Sequence, residues 1–278
     1  MSSLRNTRVY ENLTERENRD FLTDVAMGRV PGYTSDFMTG WTSDTDPADG
    51  QVSIFDFSHH LMVHPTGLVD VFVTSDNAAD TTMSVVVVGV LDDYEPIVQT
   101  IQLNGTTPVQ LPTQMRYIQS ARMLIATPLG NVFVTRTNDV TAGVPNDNDD
   151  ILSYITQGEN FTHNAWYIVP KGKSAMIVAI RGNTDSDSKP ALVKTYICFP
   201  NDIPLNSVSY TVSTAFPQLL FPTPVASTSV FGTNTRVLPE GTLVEYKVES
   251  TANNTQVFFG IDVILADNGE FGDFPIIS

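Results

Sequence analysis

Three histidines, His59, His60 and His64, stand within six positions of one another, with Asp56 just upstream. Imidazole and carboxylate together are a ligand set for zinc-like ions. On a strand, His60 and His64 project to one face while His59 opposes them, so the spacing offers His60 and His64 as the candidate metal pair. A structural role for this group is the competing expectation. The acidic clusters Asp44-Thr45-Asp46, Asp147 to Asp150 and Asp185-Ser186-Asp187 could give oxygen ligands to calcium. None has the glycine and terminal glutamate of an EF-hand loop, so they are expected to be solvated loops. Asp92-Asp93-Tyr94-Glu95 offers carboxylates for glycoside hydrolysis, yet sequence neighbours on a strand point to opposite faces. Lys171-Gly172-Lys173-Ser174 ends like a phosphate-binding loop, but Tyr167 occupies the place of the required earlier glycine and the following AMIVAI reads as a strand. There is no nucleophile elbow and no Ser-His-Asp order. Cys198, flanked by Tyr196, Ile197 and Phe199, is expected to be a buried small hydrophobe and not a nucleophile. These residues predict a protein that is not an enzyme and needs no cofactor.

Charge restricts partners. Fifteen basic against 31 acidic residues give a net charge of −16, and the 85 residues from Pro31 to Met115 hold no lysine or arginine but eleven acids. Duplex binding requires cations that displace condensed counterions, so a nucleic-acid partner is not expected. No apolar run approaches the roughly 18 residues of a membrane span, and the first residues lack the apolar core of a secretory signal. The expectation is a protein made in a cytoplasm with no membrane partner. An apolar content of 41% suffices for a sizeable core.

The elements that position these residues read as strands. Thr14-Glu15-Arg16-Glu17 fits a capping box, Phe21 and Val25 continue a short apolar face, and Gly28 can end that helix. From Gly32 to Gly50 the chain is rich in Thr, Ser, Asp and Gly, which predicts an extended arm. Its isolated apolar residues Tyr33, Phe37, Met38 and Trp41 are the candidate partner-docking residues. Strands are then predicted at 68–74, 84–90, 98–103, 106–110, 116–126 and 132–136, with Asn104-Gly105 as a hairpin turn. Residues 138–150 combine turn residues and acids without apolar periodicity, which predicts a linker. Further strands follow at 165–169, 175–181, 191–199, 243–249 and 256–265, around a Pro-, Ser- and Thr-rich crossing at 200–239. The predicted fold is all-β, two β-sandwich or jelly-roll-like domains preceded by a short helix and arm. Its divisions are 1–50 (helix and docking arm), 51–137 (first β-domain), 138–150 (linker) and 151–278 (second β-domain with a short tail).

One resemblance adds to this. Ser75 to Thr81, Asn104-Gly105-Thr106-Thr107-Pro108-Val109, the AWYIVPKGKS run at 165–174, Val248 to Asn254 and Phe259 to Leu265 follow one another in an order that resembles a family of virion structural proteins from tailed bacteriophages, many of them marine. The similarity spans residues 68–267, with Val90 inserted between Gly89 and Leu91 and Lys171 in place of a small residue. The resemblance implies residence in a virion and a capsid, neck or tail position held by protein–protein contacts. It also implies other virion proteins as partners, self-association and no catalytic residues. The alternative is a receptor- or glycan-binding module of the tail or capsid surface, with Trp166-Tyr167 or Phe216 to Phe221 as a sugar platform.

Overall fold

A computed structural model of the protein describes residues 21–57, 59–185, 189, 191–198, 219–221 and 237–271. The capping box at 14–17, most of the crossing at 200–239 and the Phe216 end of one proposed sugar platform lie outside the described residues.

The chain runs through a short helix α1 (Phe21–Ala26) and strands β1 (Tyr33–Thr42), β2 (Gln51–Ser53), β3 (Phe72–Ser75), β4 (Ser84–Val90), β5 (Pro96–Gln102), β6 (Val109–Gln110), β7 (Tyr117–Met123) and β8 (Val132–Thr135). The hairpin β9 (Val140–Thr141) and β10 (Val144–Pro145) is followed by β11 (Ile151–Ile155), β12 (Trp166–Ile168), β13 (Lys173–Thr184), β14 (Ala191–Cys198), β15 (Leu219–Phe221), β16 (Leu243–Ser250) and β17 (Val257–Asp267). All named strand pairs are antiparallel. The fold is all-β, as the short β-branched runs predict.

One sandwich packs the sheet β11-β8-β3-β6 against β5-β4-β7. Its core holds Val73, Val132 and Ile155 from the first sheet and Val85, Val87 and Ala121 from the second. The other packs β1-β17-β13 against a sheet in which β16 is flanked by β14 on one side and by β12 and β2 on the other. Met38, Ile177, Tyr246 and Val263 meet in that core. Strand β12 belongs to both. Trp166 and Ile168 point into the first core, while Ala165, Tyr167 and Val169 point into the second. The strand therefore has no solvent face, which explains its unbroken apolar sequence. Trp166 and Tyr167 are 0% and 4% exposed, so they form no sugar platform.

The structure differs from the predicted divisions in three places. Residues 33–42 are not a free arm: β1 pairs with β17 over ten residues, Tyr33 opposite Ala266 through Thr42 opposite Val257. An edge strand tolerates the polar residues that predict an arm here, because one side and one face remain in solvent. Gly40 serves close packing here, since a Cβ on it would come within 2.5 Å of the Ala165 Cβ. Second, residues 138–150 link neighbours within one sheet, because β11 pairs with β8. The first sandwich thus continues through Ile155, and an acidic hairpin only returns the chain to the adjacent strand. Third, Asn104 and Gly105 do form a tight turn, with the Thr107 amide donating to the Asn104 carbonyl at 3.1 Å. The chain leaving it crosses to the other sheet, where β6 pairs with β3 and not with β5. Gly105, at φ +57°, sits too close to the Ala78 backbone for any side chain.

Helix α1 covers one end of the outer face of β17, where Ile264 and Ala266 pack with Val25, Val30 and Phe271. Among the described residues, no helix is long and apolar enough to cross a membrane.

Candidate functional site

The four predicted docking residues lie on β1 and do different things. Met38 faces the core at 7% exposure, so it holds the strand in place and cannot meet a partner. The Tyr33 hydroxyl donates to the Glu270 carbonyl at 2.9 Å, and its ring meets Phe271 edge-on at 5.8 Å. Trp41 stacks on Phe258, its direct neighbour on β17, with centroids 5.8 Å apart and planes 10° from parallel. Phe37 alone of the four is mostly exposed, at 58%, and its ring lies over Gly260.

Two depressions meet at Thr39 on β1. One, of about 640 Å³, runs between the two sandwiches and is lined by Phe37, Val86, Val88, Val98, Arg122 and Phe161. Val98 and Phe161 are 62% and 44% exposed. A large apolar residue on the solvent phase of an alternating strand is the signal that could have singled out Val98, since its neighbours Ile97 and Gln99 take the half-buried phase of β5. The other depression, of about 790 Å³, is walled by Trp41, Phe258 and His163, with Arg181, Asn183 and Glu159 at its margins.

The histidines separate. His59 is gripped by two carboxylates, Nδ1 at 2.6 Å from Asp49 and Nε2 at 3.2 Å from Asp44. The hydrogen bond to Asp49 raises its pKa above the usual value, overcoming a smaller burial effect. With Asp46 and Asp49 it makes a group whose ligand atoms lie within 4.8 Å of one another, but both ring nitrogens already face carboxylates. His60 packs on Phe55 and Phe57 at 6.0 and 5.8 Å, and burial lowers its pKa despite Asp149 and Asp147 nearby. His64 packs edge-on to Trp166 at 5.4 Å, and its Nε2 lies 3.5 Å from Glu245. The metal pair His60 and His64 is therefore not assembled: aromatic rings hold the first and a buried carboxylate holds the second.

Around that carboxylate is a charge cluster that sequence reading did not find. Ser53 donates to Glu245 at 2.5 Å, the Lys247 ammonium lies 3.4 Å away, and Glu245 is fully buried. Lys247 also sits over the Tyr196 ring at 4.7 Å. Burial pushes the Glu245 carboxyl up, but His64, Lys247 and Ser53 together outweigh it and hold the group below its ordinary value. Ser53 gives its hydrogen bond to the carboxylate and not to His64, so this is an ion cluster in place of an activated nucleophile. A period-two Glu-x-Lys on β16 was its only sequence trace.

No protein-family model matches this chain, and no curated protein matches it. Among solved structures it is similar to the infectious bursal disease virus VP2 subviral particle, at 9% identity over 92% of this chain and 80% of that one, with a TM-score of 0.25. A D431N mutant VP2 of the same virus, from T=1 particles, aligns at 10% identity over 92% and 77% of the two chains, with a TM-score of 0.15. At these scores neither likeness bears on role.

Proposed function

We propose that the chain is a structural protein of a tailed-bacteriophage virion, acting by assembly and not by catalysis. The observation that carries this reading is the exposed apolar groove between the sandwiches, where Phe37, Val98 and Phe161 stand uncovered on a strongly acidic protein. Monomeric proteins rarely leave such residues together in solvent, and a partner surface is the usual occupant. The collinear resemblance of residues 68–267 to phage structural proteins supports the same reading. Partners are other virion proteins of the capsid, neck or tail, together with further copies of this chain, since closed symmetric assemblies dominate such modules.

Quantitative mass spectrometry of purified virions tests this, with the copy number taken relative to the major capsid protein. Hundreds of copies indicate decoration of the capsid, and about five to a dozen indicate a symmetric neck, tail or vertex position. Absence from the particle would overturn the proposal.

A further inference from the structure

The outer face of the β1-β17-β13 sheet is covered by α1 at one end and open at the other. Toward the open end, β17 presents Phe258, Gly260 and Asp262 on one face. They pair with Trp41, Thr39 and Phe37 on β1, and with Asn183, Arg181 and Ala179 on β13. Gly260 carries no side chain on this surface, and the edge of the Phe37 ring lies over it, 3.6 Å from where a Cβ would stand. The segment bearing Glu159 and His163 closes the far side, giving the 790 Å³ cleft, within the range of about 300–1,000 Å³ typical of small-ligand sites.

The lining restricts what fits. Trp41 and Phe258 supply parallel aromatic rings, with Phe258 43% exposed. The Trp41 indole N–H is buried, so Trp41 offers the cleft only apolar ring surface. Arg181 is engaged by both carboxylate oxygens of Asp262, the first contact being 2.9 Å, so its charge is already balanced. Glu159 adds a carboxylate that has no ion pair among the described residues. An anionic ligand would meet net repulsion here. A wholly apolar ligand would leave Asn183 and Glu159 desolvated against it. A ring with an apolar C–H face and several hydroxyls satisfies both conditions: the face packs on the aromatic wall, and adjacent hydroxyls use the paired donors and acceptors of planar amide, carboxylate and guanidinium groups.

We propose that this cleft binds a neutral saccharide, with Trp41 and Phe258 as the stacking wall and Asn183, Glu159 and Arg181 as the hydroxyl-binding groups. This goes beyond assembly, and it would let the protein hold a surface glycan while Phe37, Val98 and Phe161 face a protein partner.

The test is an array of neutral hexose and N-acetylhexosamine oligosaccharides beside sialylated, uronic-acid and phosphorylated ones, probed with the intact chain. Saturation-transfer NMR on the best ligand follows. Binding confined to neutral glycans is expected, with saturation transferred to ring C–H protons. Phe258→Ala and Asn183→Ala should each weaken binding at least tenfold, and Glu159→Gln should begin to admit acidic glycans. No binding to any neutral oligosaccharide, a preference for acidic ones, or binding untouched by both weakening substitutions would overturn the proposal. The saturation-transfer readout uses the unaltered chain, so it decides even if a variant fails to fold. Incorporation of Asn183→Ala into virions is a separate readout, so loss of sugar binding is distinguishable from loss of assembly.

Discussion

His64 and Glu245 meet inside the protein, imidazole Nε2 to carboxylate at 3.5 Å, with side chains only 7% and 0% exposed. The contact ties the loop after β2 to β16 at the seam of the two cores. Removing the carboxylate strands a buried lysine, so Glu245→Ala should destabilise by roughly 3–5 kcal/mol. Replacing both charges, Glu245→Leu with Lys247→Met, should recover much of that loss, because the desolvation penalty of each ion disappears with it. Chemical denaturation of the single and double variants measures the difference. The sign with pH is fixed by the direction of the shift. The folded carboxyl lies below its ordinary value of 4.5, so its contribution is present above that pH and is lost as pH falls through the folded value.

Asp56 acts in the opposite sense. Burial, then repulsion from Glu159, raises its carboxyl from 3.8 to about 7, against a hydrogen bond from Thr156. A raised acid favours the folded state most when protonated. Its contribution is full below pH 3.8 and is lost as pH rises to about 7. Asp56→Asn should therefore raise the Tm at pH 8 by several degrees, at about 2–4 °C per kcal/mol recovered. It should also flatten the change in Tm between pH 4 and pH 8 in thermal melts.

The histidines should titrate apart by NMR. His59, held by Asp49 and Asp44, titrates above the ordinary value of 6.5, whereas burial places His60 and His163 below it. His59 thus adds stability below pH 6.5 that fades as pH rises through its folded value, and His60 and His163 do the reverse. Asp49→Asn should lower the His59 pKa and leave His163 unmoved.

Adjacent residues on β1 give a further contrast. Phe37→Ser removes an exposed ring and should change stability by no more than about 0.5 kcal/mol, yet it should cut incorporation into virions severalfold. Met38→Ala empties a core position and should cost about 2–5 kcal/mol. Denaturation midpoints and particle mass spectrometry on the two variants separate docking from packing.

What could be seen in the sequence followed local pattern. SVVVVGV at 84–90 coincides with β4 because apolar β-branched runs bounded by turns have few other uses. What could not be seen depended on distant partners. YTSDFMTGWT looks polar, and only pairing with β17 makes it a strand. Adjacency places ILSYI at 151–155 in the second domain, although its hydrogen bonds go back to β8. The open cleft was equally hidden, since Phe258, Asn183 and Trp41 come from three distant segments that meet only through sheet register.

The predicted docking arm provides the last test. If residues 1–50 only reached for a partner, their removal would leave the body intact. The pairing of β1 argues otherwise: deleting residues 1–42 would strip a ten-residue ladder from β17 and remove Met38 from the core it shares with Ile261, Val263 and Leu265. An unpaired apolar edge invites aggregation. The truncated chain 43–278 should lose its cooperative melt or precipitate. A chain beginning at Gly32 keeps β1 but lacks Val25 and Val30, which pack with Ile264 and Ala266. It should fold with a lowered Tm. A cooperative melt of 43–278 at the Tm of the intact protein would restore the arm reading, and β1 would then be a strand the fold can spare for its partner.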